Sequence, residues 1–251
     1  MTFMELYNKL STYYPNELRC EWDNDGIMCS GNLNKEVNKV LISLDITCKT
    51  VEYAVKNGFD TIVSHHPLVF RSQKSLTPTN FTQRKLIELI KNDINVMSFH
   101  TRLDAADGGV NDILCRLLSM ENVSIDPQDR IGRIGYVSNM PLSDFAKGVK
   151  EALSAPVVLF SGNRPVQKVY VVGGDGKDLI DNAISLGCDT LVTGRASYNT
   201  SVDAEDMELN IVEAGHFFTE HPVCEELKSK ILEILPEVEA EVYYSNQINF
   251  I

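Results

Sequence analysis

Of the five histidines in this 251-residue chain, four fall in three short stretches: the adjacent pair His65-His66, then His100, then His216, with His221 close behind. His100 and His216 are each followed four residues later by a carboxylate, Asp104 and Glu220 respectively. Neutral imidazole nitrogens and ionised carboxylates are harder donors than thiolates and suit Zn²⁺, Mn²⁺ or Fe²⁺. Metal binding is therefore the chemistry these residue types support, with His65, His66, Asp104, His216 and Glu220 as candidate donors. His65 and His66 end an apolar run, where successive strand side chains alternate faces. The two rings are thus expected to fan outward, serving two ions, or one ion and one substrate. Pro67 then stops regular pairing. A lone His-His pair says little, and its weight comes from the company of Asp104, His216 and Glu220.

Those side chains need elements to hold them. Residues 37–45 (VNKVLISLD), 60–64 (DTIVS) and 94–99 (INVMSF) are apolar and rich in β-branched types, with helical spacing over 48–57 and 81–92 between them. Strands alternating with helices of that length predict right-handed βαβ crossovers and a largely parallel sheet. A further helix is expected from Val110 through NDILCRLLSM. The middle, about 121–165, reads as less regular, punctuated by Pro127, Pro141, Pro156 and Pro165.

The second half repeats the first. KVLISLDITCKTVEYAVKNGFDTIVS (39–64) aligns without a gap to KVYVVGGDGKDLIDNAISLGCDTLVT (168–193), with seven of 26 positions identical. INVMSFH (94–100) pairs in turn with LNIVEAGH (209–216), each ending in its histidine. The expectation is an α/β fold of two similar lobes from an internal duplication, each a mainly parallel sheet flanked by helices. The lobes are set at 1–125 and 126–251, with the last strand able to pack back on the first lobe. Open α/β sheets bind ligands at the carboxyl ends of their strands, and that is where the histidines collect, so the metal site is expected in the cleft between lobes. Glu220 is expected near the start of a helix, TEHPVCEELKSKILEIL, with Thr219 as N-cap and Pro222 in the first turn. There it could bridge two cations, or serve as an ordinary first-turn acid facing the helix dipole.

Composition narrows the classes. Hydrophobic residues make up 43% and the net charge is −12, a field that opposes general attraction to nucleic acid or anionic lipid and suits a metal site or a steered small substrate. No apolar run approaches the roughly 18–20 residues that span a bilayer, and MTFMELYNKL lacks the pattern of a secretory leader. Six cysteines without a CxxC pair fit reduced thiols in the cytoplasm. GGDGKD (173–178) resembles a phosphate-cradling loop only superficially, since Asp175 would repel phosphate. There is no GxSxG elbow for covalent catalysis. Trp22 in EWDNDG is either a packed plug or a cover over the cleft.

Taken together, EWDNDGIMCSG, SLDIT, DTIVSHHPLVF, HTRLDAADGGVND, LVTGRASY and AGHFFTEHP resemble, in order and over nearly the whole chain, the NIF-three-like family, often labelled GTP cyclohydrolase I type 2 homologs, in its short form. The resemblance implies a dinuclear centre of two divalent ions (Zn, Mn or Fe) in the cleft, with His65, His66, Asp104, His216 and a bridging Glu220 as ligands. It also implies a ring-shaped homohexamer. Many members carry an acidic residue at the position of Arg195 and a histidine at that of Asn199, which touches substrate contacts more than the ligand set. The implied activity is hydrolysis of GTP or a related nucleotide: water attacks C8 of the purine, the ring opens and formate leaves. His100 would then shuttle a proton or orient a ligand, and Arg71, Lys74, Arg102 and Arg195 are candidates to meet phosphate. The alternative is a non-catalytic metal-binding regulator, metal chaperone or interaction scaffold.

Overall fold

In the computed structural model, which describes residues 1–251, the apolar run expected at 37–45 condenses to β2 (Lys39–Ser43), and those at 60–64 and 94–99 to β3 (Thr61–Ser64) and β4 (Asn95–Ser98). Every residue of β3 and β4 is buried, as in strands covered on both faces. The crossovers are α2 (Cys48–Lys56) and α3 (Phe81–Lys91), capped by the side chains of Thr47 and Asn80. β2, β3 and β4 pair in parallel, β1 (Gly26–Cys29) adds antiparallel to β4, and β11 (Glu239–Tyr243) adds parallel to β2. Leu41, Ile62 and Val96 from this sheet pack with Val51, Ala54, Leu86 and Leu89 from α2 and α3. The first unit is completed by α1 (Phe3–Tyr13), α4 (Thr101–Ala105) and α10 (Val223–Ile234).

The second unit is built on β8 (Val166–Asp175), β9 (Thr190–Arg195) and β10 (Asn210–Glu213), again parallel, with α7 (Ile180–Ser185) and α8 (Tyr198–Asp206) in the crossovers. The stretch at 121–165, read as irregular, is ordered: β5 (Glu121–Ile125), β6 (Arg133–Met140), α6 (Leu142–Ala152) and β7 (Leu159–Ser161). Its prolines sit between elements, and Pro141 is the N-cap residue of α6. β5, β6 and β7 join antiparallel, so parallel pairing is confined to the three central strands of this sheet. The β5–β6 link spans a few residues, short enough for antiparallel neighbours and too short for a crossover.

The repeat seen in the sequence persists in strand register. Val40 faces Thr61 across β2 and β3, and Val169 faces Thr190 across β8 and β9. Each pair is pinned by the same carboxylate. Asp60 Oδ2 accepts the Asn38 and Lys39 N–H groups at 2.9 and 3.1 Å, and Asp189 Oδ2 accepts those of Gln167 and Lys168 at 3.0 and 2.7 Å.

The boundary at 125/126 moves. Met1–Ala106 and Val223–Gln247 form one unit, Asp107–Pro222 and Ile248–Ile251 the other. The helix α5 (Val110–Leu117) is the reason for the earlier crossing: Leu114 and Cys115 are buried in the core with Val169 and Val171 of β8. The later return is set by α10, which packs on β11 and α1.

Candidate metal centre

In the first unit the carboxyl ends of β3 and β4 bring three imidazoles together. The rings of His65 and His66 lie 5.0 Å apart, and that of His100 lies 5.3 and 5.7 Å from them. One nitrogen from each falls within 4.8 Å of the others. The expected outward fanning of His65 and His66 does not occur, because β3 ends at Ser64. The Ser64 hydroxyl donates to the His66 carbonyl at 2.8 Å and bends the chain, so the alternation of a strand no longer applies.

Each ring is oriented through Nδ1. His65 Nδ1 lies 2.9 Å from the Phe99 carbonyl, His66 Nδ1 2.7 Å from Asp45 Oδ1, and His100 Nδ1 2.8 Å from Asp23 Oδ1. A carbonyl and two carboxylates can only accept, so Nδ1 carries the proton in all three and Nε2 carries the lone pair. Metal-ligating histidines are held in this way. Asp104 Oδ1, from α4, lies 3.5 Å from His65 Nε2. With the proton on Nδ1 these are two electron-rich atoms facing each other, an arrangement that a cation stabilises. The donor set and its orientation fit a divalent ion.

The holders were not picked from the sequence as site residues, although EWDNDG and SLDIT contain them. Asp23 is buried, and its Oδ2 also accepts the Thr101 N–H and hydroxyl at 3.1 and 2.7 Å. Burial alone would raise its pKa, but the hydrogen bonds from His100 and Thr101 outweigh that and hold it at about 2. Asp25 Oδ2 accepts the His100 N–H at 3.1 Å and Arg102 Nε at 3.0 Å. Arg102, a candidate for phosphate, is instead fully buried, donating also to the Tyr14 carbonyl and Asn16 and lying over the Phe99 ring. A guanidinium so committed has no access to a ligand. Trp22 is 65% exposed, which rules out the packed plug.

The second unit supplies a His/Glu pair on α9 (His216–Glu220), with Nε2 of His216 2.9 Å from Oε2 of Glu220. Glu220 closes this short helix and does not open α10. Thr219 is accordingly no N-cap: its hydroxyl donates to the His216 carbonyl at 2.9 Å and accepts the Gly174 N–H at 3.1 Å. GGDGKD is the seat of Glu220 and no phosphate cradle. A Cβ on Gly174, at φ +69°, would lie 2.3 Å from Glu220 Oε1. A Cβ on Gly194 would lie 2.5 Å from Thr219 Oγ1 and 2.6 Å from the Gly174 carbonyl. The glycines let strand ends approach the helix that carries the carboxylate. The structure thus gathers His65, His66, His100 and Asp104 in one unit, and His216 and Glu220 in the other.

Two mixed sheets flanked by helices, with clustered imidazoles and carboxylates at their strand ends, define an α/β protein whose side-chain clusters could hold a metal ion. The family model described as Duf34/NIF3 (NGG1p interacting factor 3) matches residues 1–249, and the chain belongs to that family. A Clostridium perfringens protein named GTP cyclohydrolase 1 type 2 homolog is 33% identical over 244 residues, covering 94% of this chain and 93% of its own. A Clostridium acetobutylicum protein of the same name is 29% identical, covering 90% and 88%. Among solved structures, a Bacillus cereus protein related to NIF3 superposes with a TM-score of 0.92 at 24% identity, covering 100% of this chain and 99% of that one. A Staphylococcus aureus hypothetical protein gives 0.90 at 26%, with the same coverage.

Proposed function

We propose that this chain is a metal-dependent hydrolase that opens the purine ring of GTP or a related nucleotide, with two divalent ions (Zn, Mn or Fe) held by His65, His66, Asp104, His216 and Glu220. The observation that carries the reading is the common Nδ1 anchoring of His65, His66 and His100, which leaves Nε2 as the lone-pair nitrogen of each ring in a cluster where one nitrogen per ring lies within 4.8 Å of the others. Ions bound there would supply Lewis acidity and a water of lowered pKa. His65 and His66 are held at Nδ1 by groups that can only accept, so Nε2 is the nitrogen each would offer an ion. Asp104 and Glu220 would hold the ions alongside these rings and supply the negative charge that a cation pair needs.

His100 takes the proton-handling role. Its Nδ1–H rests on Asp23, so its Nε2 can accept a proton from water and return it to the leaving nitrogen, while the Asp23 carboxylate stabilises the imidazolium. Arg71, Lys74 and Arg195 are exposed and remain the cations available to a triphosphate. We place the protein in the cytoplasm, on its six cysteines held outside any disulfide, and assemble it as a homohexamer, as the family resemblance implies.

The test is formate release from GTP by protein loaded with Mn²⁺, Fe²⁺ or Zn²⁺, beside Glu220→Ala and His65→Ala. Metal-dependent release that falls at least about 100-fold in both variants supports the reading. Saturable metal uptake with no turnover on nucleotides or phosphoesters would replace it with the non-catalytic regulator, chaperone or scaffold.

A further inference from the structure

We infer that Trp22 and Phe70 form a stacking site for the purine base of a nucleotide and set that base against His100. This rests on the hydrolase reading and names the residues that would recognise its substrate. Trp22, the one tryptophan in the sequence, leaves 65% of its surface exposed, and Phe70 leaves 48%. Single exposed apolar side chains are ordinary. These two are neighbours, with ring centroids 6.2 Å apart, and each stands edge-on to His100, at 6.2 and 6.3 Å. The three rings make a nearly equilateral triangle, one corner of which belongs to the imidazole cluster.

Both aromatics are held in place. On one side of Trp22, the Cys20 N–H donates to Thr101 Oγ1 at 3.0 Å; on the other, Asp23 is buried and bound to His100 and Thr101. Asn24 then donates its side-chain amide to the carbonyl of Val69, the residue before Phe70. The segment carrying Trp22 is therefore tied both to the start of α4 and to the loop that carries Phe70. An aromatic face that is exposed and already ordered loses little freedom on binding. Its natural occupant is a flat π system, because stacking asks for a face and not for particular hydrogen bonds. Arg71 follows Phe70 directly and Lys74 comes three residues later, both exposed in a chain of net charge −12. Cations next to an aromatic platform suit a phosphorylated heteroaromatic ligand, where a neutral planar molecule would need none.

The lone tryptophan makes the test direct. The full chain, loaded with Mn²⁺, is titrated with GTP, GMP and inorganic triphosphate while its emission is followed. GTP and GMP should quench it saturably, and inorganic triphosphate should not. Phe70→Leu, read by quenching, and Trp22→Leu, read by dialysis against labelled GTP, should each weaken binding about 5- to 100-fold, the range expected for one lost base–aromatic stack. Trp22→Phe should keep most of the affinity. Both side chains are exposed, and circular dichroism checks that the variants fold. GTP retained in dialysis with unchanged emission, or Trp22→Leu binding GTP as wild type does, would overturn the site. Formate release is scored separately. Quenching without formate keeps the stacking site and removes the hydrolase; formate with an unchanged KM in Trp22→Leu does the reverse. No GTP binding in either assay removes both.

Discussion

An imidazole becomes a defined donor only when its second nitrogen is committed, and here the commitment comes from Asp23, Asp45 and the Phe99 carbonyl. Removing a holder frees the ring to rotate and to exchange tautomers. Asp45→Ala, which frees the proposed ligand His66, should lower metal affinity about 10- to 100-fold, measured by competition with a chromophoric chelator; a change below twofold would contradict the assigned role. Gly174→Ala probes the other unit. An alanine at φ +69° is strained by about 1–2 kcal/mol, and its Cβ would meet the far end of Glu220, which can yield. The expected outcome is a protein that stays folded, melts somewhat lower, and retains less metal on gel filtration than wild type.

At the scale of elements, long-range polar ties set where the segments go. Arg102 on α4 is buried against Asp25 in the β1 lead-in, and each half of such a pair is costly alone. Arg102→Met should destabilise by about 3–5 kcal/mol in urea unfolding; a large rise in KM with unchanged stability would restore it as a phosphate ligand. Asp126, just past β5, accepts the Tyr170 hydroxyl of β8 at 2.6 Å and the Asn182 amide of α7 at 2.8 Å. Burial pushes its pKa up, but these bonds and that from Gln128 win and hold it below the ordinary 3.8. A folded pKa below the unfolded one gives stability that is present above the unfolded value and lost as pH falls through the folded one. Asp126→Asn should therefore cost about 1–3 kcal/mol near pH 7, and the gap to wild type should narrow below about pH 4 in denaturant titrations. A gap that widens on acidification would reverse the sign.

For the whole molecule, the proposed ligand set draws on residues of both units, so an ion held by all of them would stabilise both. Chelation should lower the melting temperature, with a stability loss of about 2.7 kcal/mol when free metal had stood at 100 times its Kd; calorimetry with and without EDTA reads this directly. Light scattering on a sizing column checks the six-chain assembly. No helix is long and apolar enough to cross a membrane.

Local periodicity determined most of the elements. β2, β3, β4, α2, α3 and α5 lie within two or three residues of where their apolar spacing puts them, and the duplication was legible because aligned segments that fold alike keep alike patterns. The histidine and carboxylate clusters were legible as residue types at strand ends. Only the tertiary structure decided what holds them. Asp23 meets His100 across 77 residues of chain, and Arg102 turns inward because Asp25 and Asn16 arrive from another segment. Glu220 ends one helix instead of starting the next because Gly174 leaves it a seat. Spacing along a chain reports a residue's own element, while the partner that orients it is brought by folding from a distance that no local pattern encodes.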